Sequence, residues 1–377
     1  MAKKLGGGNA GTVELFSNKK VFFPSIEVLK SIASGQKFDE DDNLIFKEIL
    51  DSLEETNQLP FDWSVQEANY LMNNPKNKWL EYIFYRFKFS EYPKRLIESK
   101  FPIYIKIEPV SSCNLRCVMC FQIDKSFTRK PYMGTMNFDL FKRIIDEAES
   151  GGTKAITLGS RGEPTLHPML PEMLDYMSGK FIEIKLITNA TRLTEELSHK
   201  ILQSDIGMVV YSVDADEKEL YERIRVNGKF EQVFKNISRF NEIRKQHYPK
   251  SKITTRVSGV KFDSEQNVDR FIKFWSPYID EVGMKEAAIR WNTYENELNS
   301  GTVSPCFDLW QNMYIWFDGV TNPCDSDYKS MLSPGSLDTA SIKEIWSGEN
   351  MKNLRKQHKM DNRNGITPCD RCGVHVS

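Results

Sequence analysis

The stretch Ser-Ser-Cys-Asn-Leu-Arg-Cys-Val-Met-Cys-Phe-Gln, residues 111–122, places Cys113, Cys117 and Cys120 in a Cys-x3-Cys-x2-Cys array. The array follows directly on an apolar, β-rich run at residues 104–110. Three thiolates this close can share one metal centre, and soft sulfur ligands select zinc, copper(I) or iron–sulfur clusters. Tetrahedral zinc or an ordinary cluster needs a fourth ligand, and no His or Cys stands near enough in sequence. A [4Fe–4S] cluster held by three cysteines would leave one iron open to a small molecule.

The composition is that of a soluble globular protein. The chain has 377 residues, 40% of them apolar and 27% charged, with a formal net charge of −1. No basic excess argues for nucleic acid, so small molecules or peptides are the expected substrates. The longest apolar stretch, at residues 206–213, is too short for a bilayer, and the polar start lacks the apolar core of a signal peptide. We therefore expect a cytoplasmic protein whose seven cysteines bind metal rather than form disulfides.

Residues 1–100 are predicted to form a flexible tail and a helical extension. Gly6, Gly8 and Gly11 have the spacing of a dinucleotide-binding loop, but no strand precedes them, so we interpret this part as a tail. Helical patterns follow, and an aromatic face should pack against the main domain. These patterns lie at residues 26–33, 43–53, 63–72 and 79–87. Binding of a partner or a leader peptide is the alternative role for this extension.

Residues 101–300 alternate between strand patterns and helix patterns. Strands are predicted at residues 104–110, 155–158, 182–188, 208–213, 253–260 and 279–284, and helices at residues 138–149, 169–177, 194–203, 230–245 and 264–275. Strands that alternate with helices predict an α/β fold with a parallel sheet and right-handed crossovers.

The cysteine array resembles that of the radical S-adenosylmethionine (SAM) superfamily. The resemblance implies a partial (β/α)6 TIM-like barrel, and one [4Fe–4S] cluster on the three cysteines whose open iron binds SAM. In such barrels the chemistry gathers at the C-terminal ends of the strands. The family usually has an aromatic residue before the third cysteine, where it packs on the adenine. Here that residue is Met119, an apolar and adaptable side chain.

The resemblance also implies residues that contact SAM. Gly162 and Glu163 stand where the family has its Gly-Gly-Glu motif, with Arg161 in place of the first glycine. There the backbone and the carboxylate bind the methionine ammonium group. Asn189, Ser212 and Asp214 follow later strands and are similar in position to residues that bind the ribose or the methionine carboxylate. Each of these alone could instead be a strand-end cap or a turn residue.

Arg256 on the fifth strand and Arg290 after the sixth are candidate catalytic residues. A guanidinium group can hold the SAM carboxylate or an anionic substrate through two parallel hydrogen bonds. The alternative is that each is an ordinary surface or fold-supporting arginine.

A second cysteine set follows at residues 301–377, with the spacing Cys-x17-Cys-x44-Cys-x2-Cys. Asp318-Gly319 predicts a tight hairpin turn, a helix is predicted at Ile342–Trp346, and Gly319 stands five residues before Cys324. This Gly-x4-Cys element resembles the SPASM extension of radical SAM enzymes. Because the sequence ends five residues after Cys372, the shortened version called a twitch domain is expected. The four ligands of one auxiliary [4Fe–4S] cluster would be Cys306, Cys324, Cys369 and Cys372. A zinc ribbon is the alternative for this site.

The resemblance implies that the enzyme cleaves SAM reductively to a 5′-deoxyadenosyl radical, which abstracts hydrogen from a substrate C–H bond. An auxiliary cluster with four cysteines would relay an electron, as two-electron oxidation requires. The leading hypothesis is therefore an oxidoreductase that acts on a sugar, nucleotide-sugar or cyclitol, as in radical SAM sugar dehydrogenases, with a flavodoxin- or ferredoxin-type electron donor.

Three other functions stay open. A peptide-modifying maturase would use the same machinery and would bind a leader peptide on the helical extension. A redox-neutral epimerase or dehydratase is the second, and a non-catalytic zinc-binding scaffold is the third.

Overall fold

The computed structural model describes residues 21–287, 292–298, 305–360 and 363–372, and the backbone of residues 3–5 and 13–16. The expected glycine-rich tail motif lies outside the described residues. The strands are β1 (Lys3–Leu5), β2 (Val13–Phe16), β3 (Tyr104–Ile107), β4 (Arg116–Cys117), β5 (Ala155–Leu158), β6 (Glu183–Thr188), β7 (Met208–Ser212), β8 (Arg225–Val226), β9 (Thr254–Lys261), β10 (Glu281–Glu286), β11 (Asn312–Ile315), β12 (Val320–Asn322) and β13 (Gly335–Ser336). The α-helices are α1 (Ile26–Ala33), α2 (Glu40–Thr56), α3 (Val65–Asn73), α4 (Trp79–Lys94), α5 (Phe138–Gly151), α6 (Leu170–Met177), α7 (Glu195–Gln203), α8 (Lys218–Ile224), α9 (Phe230–His247), α10 (Val268–Trp275), α11 (Asp308–Gln311), α12 (Ile342–Trp346) and α13 (Glu349–Lys359).

Seven strands of the main sheet are parallel, in the order β10-β9-β7-β6-β5-β3-β11. Within the described part of the chain no ladder joins β10 to β11, so the sheet forms a partial barrel. This confirms the predicted α/β barrel. Six parallel strands were predicted, and the seventh, β11, comes from the C-terminal region and pairs with β3.

The strands have one face toward the helices and one toward the lumen. In β6, Ile184 and Leu186 are buried in the main hydrophobic core, whereas Glu183 and Lys185 are half-buried on the other face. Successive side chains of a strand point to opposite faces, which explains the alternation. The lumen therefore carries charged groups, and the apolar core lies between the sheet and the helices.

The helical extension α1–α4 closes the N-terminal end of the barrel. The aromatic run of α4, including Trp79 and Tyr85, is buried in one cluster with Tyr104 of β3 and Ala155 of β5, as predicted. The Tyr85 hydroxyl donates to Glu183, the first residue of β6, over 3.1 Å. The extension shares a core with the barrel, and it lies at the end opposite to the strands' C-terminal rim.

The C-terminal region forms the predicted hairpin and packs on the barrel. Gly319 has a φ of +82°, which suits glycine, and the turn joins β11 to its antiparallel partner β12. The backbone N–H of Ile342 in α12 donates to Glu147 of α5 over 2.7 Å. None of the described helices is both long and apolar enough to span a bilayer.

Candidate active site and cluster-binding loops

The first cysteine loop begins at the C-terminal end of β3. Its middle forms β4, which pairs with β8 so that Cys117 lies opposite Arg225. The amide of Val118 donates to the carbonyl of Ile224 over 3.0 Å and extends this pairing. The segment α8–β8, which no sequence pattern predicted, therefore fixes the path of the loop.

The three thiols of this loop are close neighbours in a buried site. Burial raises the pKa of Cys113 to about 11 and that of Cys120 to about 12, and the charge of Cys117 adds to both shifts. The backbone N–H of Leu115 donates to the Cys113 sulfur over 3.4 Å, and that of Gln122 to the Cys120 sulfur over 3.5 Å. Donors directed at sulfur stabilise thiolate ligands and tune iron–sulfur clusters. This donor set fits a cluster held by three cysteines.

The loop that contains Gly162 packs directly on the cysteine loop. A Cβ atom at Gly162 would lie 2.0 Å from the carbonyl oxygen of Val110. The amide of Glu163 donates to the carbonyl of Ser112 over 3.0 Å. Only glycine permits so close an approach of the two backbones, which places the Gly-Glu motif beside the cluster site.

The Glu163 carboxylate holds the rim together. It accepts hydrogen bonds from the Thr188 hydroxyl at 2.6 Å and the Asn189 amide at 2.7 Å, both at the end of β6. It also accepts from the amide and the hydroxyl of Thr165, at 3.1 and 2.6 Å. Burial raises the pKa of Glu163, while these donors oppose the shift. Its oxygens are thus occupied by rim donors, and direct contact with SAM stays a prediction.

Asn189 faces the first cysteine. Its side-chain amide donates to the Cys113 sulfur at 3.8 Å and to the side-chain oxygen Oδ1 of Asn114 at 3.0 Å. Its own oxygen accepts from the amide and hydroxyl of Thr191, at 3.0 and 2.7 Å. The side chain is therefore held in one orientation, against the cysteine loop.

Asp214 acts through an arginine that the sequence did not single out. It is fully buried and accepts from the Arg225 guanidinium group at 2.7 and 2.6 Å and from the Val260 amide at 2.7 Å. Burial raises the pKa of the Cys117 thiol, whereas the charge and hydrogen bond of Arg225 oppose the shift. Asp214 therefore orients a cation beside a cluster ligand, and its predicted direct contact with SAM is not tested by this geometry.

Ser212 and Met119 also lie near the rim. Ser212 is the last residue of β7 and pairs with Ser258 of β9, and both are half-buried. Met119 is half-buried within the cysteine loop and packs against the main core. Their predicted roles in SAM binding stay predictions.

The structure argues against Arg256 as a rim residue. It is the third residue of the eight in β9, near the N-terminal end, and donates to Glu281 at 3.0 and 2.6 Å. The same carboxylate accepts from Gln66 of the helical extension at 3.1 Å. Arg256 thus lies at the covered end of the barrel, because position along a strand decides which end a side chain reaches. The other candidate, Arg290, lies outside the described residues.

The second cysteine set gathers residues from both ends of the C-terminal region. Cys306 precedes α11, Cys324 follows β12, and Cys369 starts a 3-10 turn that ends just before Cys372. Burial raises the pKa of Cys369 to about 12 and the pKa values of Cys306 and Cys324 well above the usual range, and neighbouring thiolates add to each shift. The amide of Cys306 donates to Nδ1 of the buried His358 over 3.2 Å. The charges of neighbouring thiolates therefore act on these cysteines, and the four thiols line one partly buried site.

Two sequence models match the chain. Residues 107–274 match the radical SAM superfamily, and residues 300–373 match SPASM, described as an iron–sulfur cluster-binding domain. The first match contains the three-cysteine loop and the second contains the four-cysteine site.

Curated relatives share part of the radical SAM region. A tungsten-containing aldehyde ferredoxin oxidoreductase cofactor-modifying protein of Pyrococcus furiosus is 35% identical over 112 residues, which is 29% of this chain and 30% of the relative. The mycofactocin maturase MftC of Mycobacterium tuberculosis is 33% identical over 130 residues, 34% of this chain and 32% of the relative. The chain therefore spans about a third of the length of these relatives.

Solved structures share the fold. SuiB of Streptococcus suis, bound to its precursor peptide SuiA, has a TM-score of 0.54 at 15% identity, over 96% of this chain and 90% of SuiB. BtrN, in complex with AdoMet and 2-DOIA, has a TM-score of 0.51 at 18% identity, over 73% of this chain and 94% of BtrN.

These matches specify the cofactors. A radical SAM domain implies a [4Fe–4S] cluster and SAM, and a SPASM domain implies auxiliary iron–sulfur chemistry, which replaces zinc as the interpretation of the four-cysteine site. The buried thiols and their sulfur-directed donors fit this assignment. The chain therefore contains a radical SAM domain at residues 107–274, followed by a SPASM iron–sulfur cluster-binding domain at residues 300–373.

Proposed function

We propose that the protein oxidises a peptide side chain. The observation that carries this proposal is a set of exposed apolar side chains in segments next to the cysteine loops and the C-terminal end of β9, here called the apolar rim. Val226 lies opposite Arg116 of the cysteine loop and is 38% exposed, and Phe262 follows β9 and is 52% exposed. Met331, seven residues after Cys324, is 62% exposed. Exposed apolar side chains suit a peptide better than a polyhydroxylated sugar.

The relatives support a peptide substrate. MftC is a mycofactocin maturase, and SuiB was solved with a precursor peptide. The SuiB likeness extends over 96% of this chain, whereas the BtrN likeness extends over 73%. The likenesses to SuiB and BtrN concern the fold at low sequence identity, so the likeness to SuiB favours the proposal only in combination with the apolar rim. Oxidation of a sugar or cyclitol, expected first from the cysteine layout, becomes the contrasting hypothesis.

The chain's own residues prepare the site for this reaction. Cys113, Cys117 and Cys120 would hold the cluster that supplies the electron for splitting SAM into the hydrogen-abstracting radical. The four cysteines of the SPASM domain would hold a second cluster, which would supply an acceptor for the second electron when the peptide also loses a proton. Asn189 and Arg225 hold the cysteine loop, and α1–α4 cover the opposite end of the lumen, which limits the access of water. A flavodoxin- or ferredoxin-type donor stays a prediction.

Anaerobic turnover distinguishes the two substrate classes. Reconstituted protein is incubated with SAM and dithionite, with either a panel of short synthetic peptides or a panel of sugars and cyclitols. We expect peptides to stimulate release of 5′-deoxyadenosine and to lose two hydrogen atoms by mass spectrometry. Stimulation by sugars or cyclitols alone would reject the peptide proposal.

Rim variants test whether peptides bind where proposed. Phe262→Asp should raise the KM for a stimulating peptide by about ten-fold or more, because a charge replaces an apolar contact. Leu44→Asp is the matched control, since Leu44 is 63% exposed but lies on α2 of the extension. Equal effects of the two substitutions would contradict binding at the rim.

A further inference from the structure

Arg161, the residue that replaces the first glycine of the Gly-Gly-Glu motif, is buried with only 3% of its surface exposed. Its Nε and Nη2 donate to the two carboxylate oxygens of Glu108, both at 2.6 Å. Its Nη1 donates to the carbonyl of Tyr328 at 2.8 Å, and the guanidinium group lies 3.9 Å from the ring centre of Trp316. Both Tyr328 and Trp316 belong to the SPASM domain. The side chain therefore leaves the SAM rim and ends in the auxiliary domain.

The backbone of the same residue faces the cluster loop. The side-chain amide of Gln122 donates to the carbonyls of Ser111 and Arg161, at 2.7 and 2.6 Å. Gln122 is two residues after the cluster ligand Cys120. Arg161 is thus in contact with the cysteine loop through its backbone and with the SPASM domain through its side chain.

The chemistry of these contacts requires arginine. The planar guanidinium group provides the parallel donors for Glu108, a third donor for the carbonyl, and a flat face for the indole ring. Lysine would keep the charge but has neither the fork nor the face. Glu108 is fully buried, so its ion pair with Arg161 depends on good hydrogen-bond geometry, because water does not solvate the buried carboxylate.

We propose that Arg161 is a positioning residue through which the SPASM domain fixes the SAM-binding loop. The proposal rests on the expected contact between SAM and the loop that contains Gly162 and Glu163. It does not depend on the substrate class. If it is correct, the affinity for SAM depends on contacts in the SPASM domain and not only on contacts with SAM itself.

The test is a double-mutant cycle of Arg161→Lys and Trp316→Leu. SAM affinity is measured by anaerobic calorimetry on reconstituted protein without substrate, and thermal unfolding is measured on the same samples. We expect each single variant to weaken SAM binding about five-fold or more, in the range of coupled sites. The double variant should bind SAM no more weakly than the weaker-binding single variant, since each substitution removes the same contact.

A second stacked arginine supplies the matched control. Arg355 is 1% exposed, lies 4.2 Å from the ring centre of Trp346 and donates to the Trp346 carbonyl at 3.0 Å. The indole N–H of Trp346 donates to the backbone carbonyl of Ser99, and that of Trp316 donates to the hydroxyl of Ser330. Arg355→Lys and Trp346→Leu should lower the unfolding temperature but leave the SAM affinity within about two-fold.

Three results would overturn the proposal. One is a SAM affinity within about two-fold of the parent in both Arg161→Lys and Trp316→Leu. Another is a double variant whose loss equals the product of the single losses. The third is equal weakening by the control variants, which would indicate general destabilisation. If Arg161→Lys does not fold, Trp316→Leu decides alone, because it leaves the Arg161–Glu108 pair in place. A negative result would leave the peptide proposal untouched.

Discussion

At the scale of single residues, the rim depends on one glycine. Replacing Gly162 with alanine would put a Cβ atom 2.0 Å from the carbonyl oxygen of Val110. Relieving this clash requires a shift of the backbone at Val110 or Gly162, which costs free energy. We expect Gly162→Ala to destabilise the apo protein by about 1 to 3 kcal/mol, as overpacking does. Urea unfolding monitored by fluorescence measures this. Gly207→Ala is the control, since its Cβ atom would lie 3.7 Å from its nearest neighbour, the carbonyl oxygen of Ile184, which is an ordinary van der Waals contact. Equal stability of both variants would contradict the close approach.

A buried carboxyl group makes stability depend on pH. Burial raises the pKa of Asp327 from 3.8 to about 6, while Tyr294 and the amides of Met331 and Leu332 oppose the shift. A raised folded-state pKa means that the stabilising contribution of the protonated form is complete below about pH 3.8 and is lost as the pH rises through about 6. As the pH rises from 4.5 to 7, we expect the unfolding free energy of Asp327→Asn to increase by about 1 to 3 kcal/mol relative to that of the parent, because the parent loses this contribution and the variant does not. Denaturant unfolding of apo protein at the two pH values measures it, and a parallel pH dependence of both proteins would reject the assignment.

At the scale of elements, the covered end of the barrel should contribute stability and not catalysis. Arg256 joins β9 to β10 through Glu281, and the Arg256 side chain is 15% exposed against 3% for Glu281. Arg256→Ala leaves a buried carboxylate without its ion-pair partner, so we expect a loss of about 3 kcal/mol or more in unfolding free energy. SAM affinity should not change in the folded fraction. If Arg256→Ala weakened SAM binding without lowering the unfolding free energy, the result would support the predicted role of Arg256 in the active site.

The helical extension is also an element of stability. Its buried aromatic residues share a core with β3 and β5, so removing residues 1–95 would expose that core at the N-terminal end of the barrel. We expect the deletion to give insoluble protein rather than an enzyme that merely fails to bind a leader peptide. Solubility and circular dichroism measure this. A soluble truncated barrel that still cleaves SAM would show that the extension is a separate module.

At the scale of the whole molecule, the two cysteine sets should load independently. Anaerobic reconstitution should give about eight irons per chain, four at each site, and a brown protein. Cys113→Ala combined with Cys117→Ala should lose about half of the iron and all SAM cleavage. Cys369→Ala combined with Cys372→Ala should lose the other half and retain SAM cleavage. Zinc at the second site, found by elemental analysis after anaerobic purification, would contradict this assignment.

Linear spacing alone was enough to specify both cysteine sets, the hairpin at Gly319 and most of the barrel strands. Ligand spacing within a loop and the two-residue period of a strand are local properties, so they are visible without coordinates. The 155–158 strand was predicted with the bounds that the structure has, Ala155–Leu158. The segment α8–β8 was missed because its strand has two residues and depends on pairing with the cysteine loop.

Only the folded chain decided what the arginines do. Arg161 meets Glu108 across 53 positions and Tyr328 across 167, and Arg225 lies opposite Cys117 in a ladder between two distant segments. A guanidinium group carries no sign of its partner in the local sequence, because a long side chain can pair with any carboxylate that the topology brings near. Arg256, on a predicted strand, lies near the N-terminal end of β9, because position along the strand decides which end of the barrel a side chain reaches.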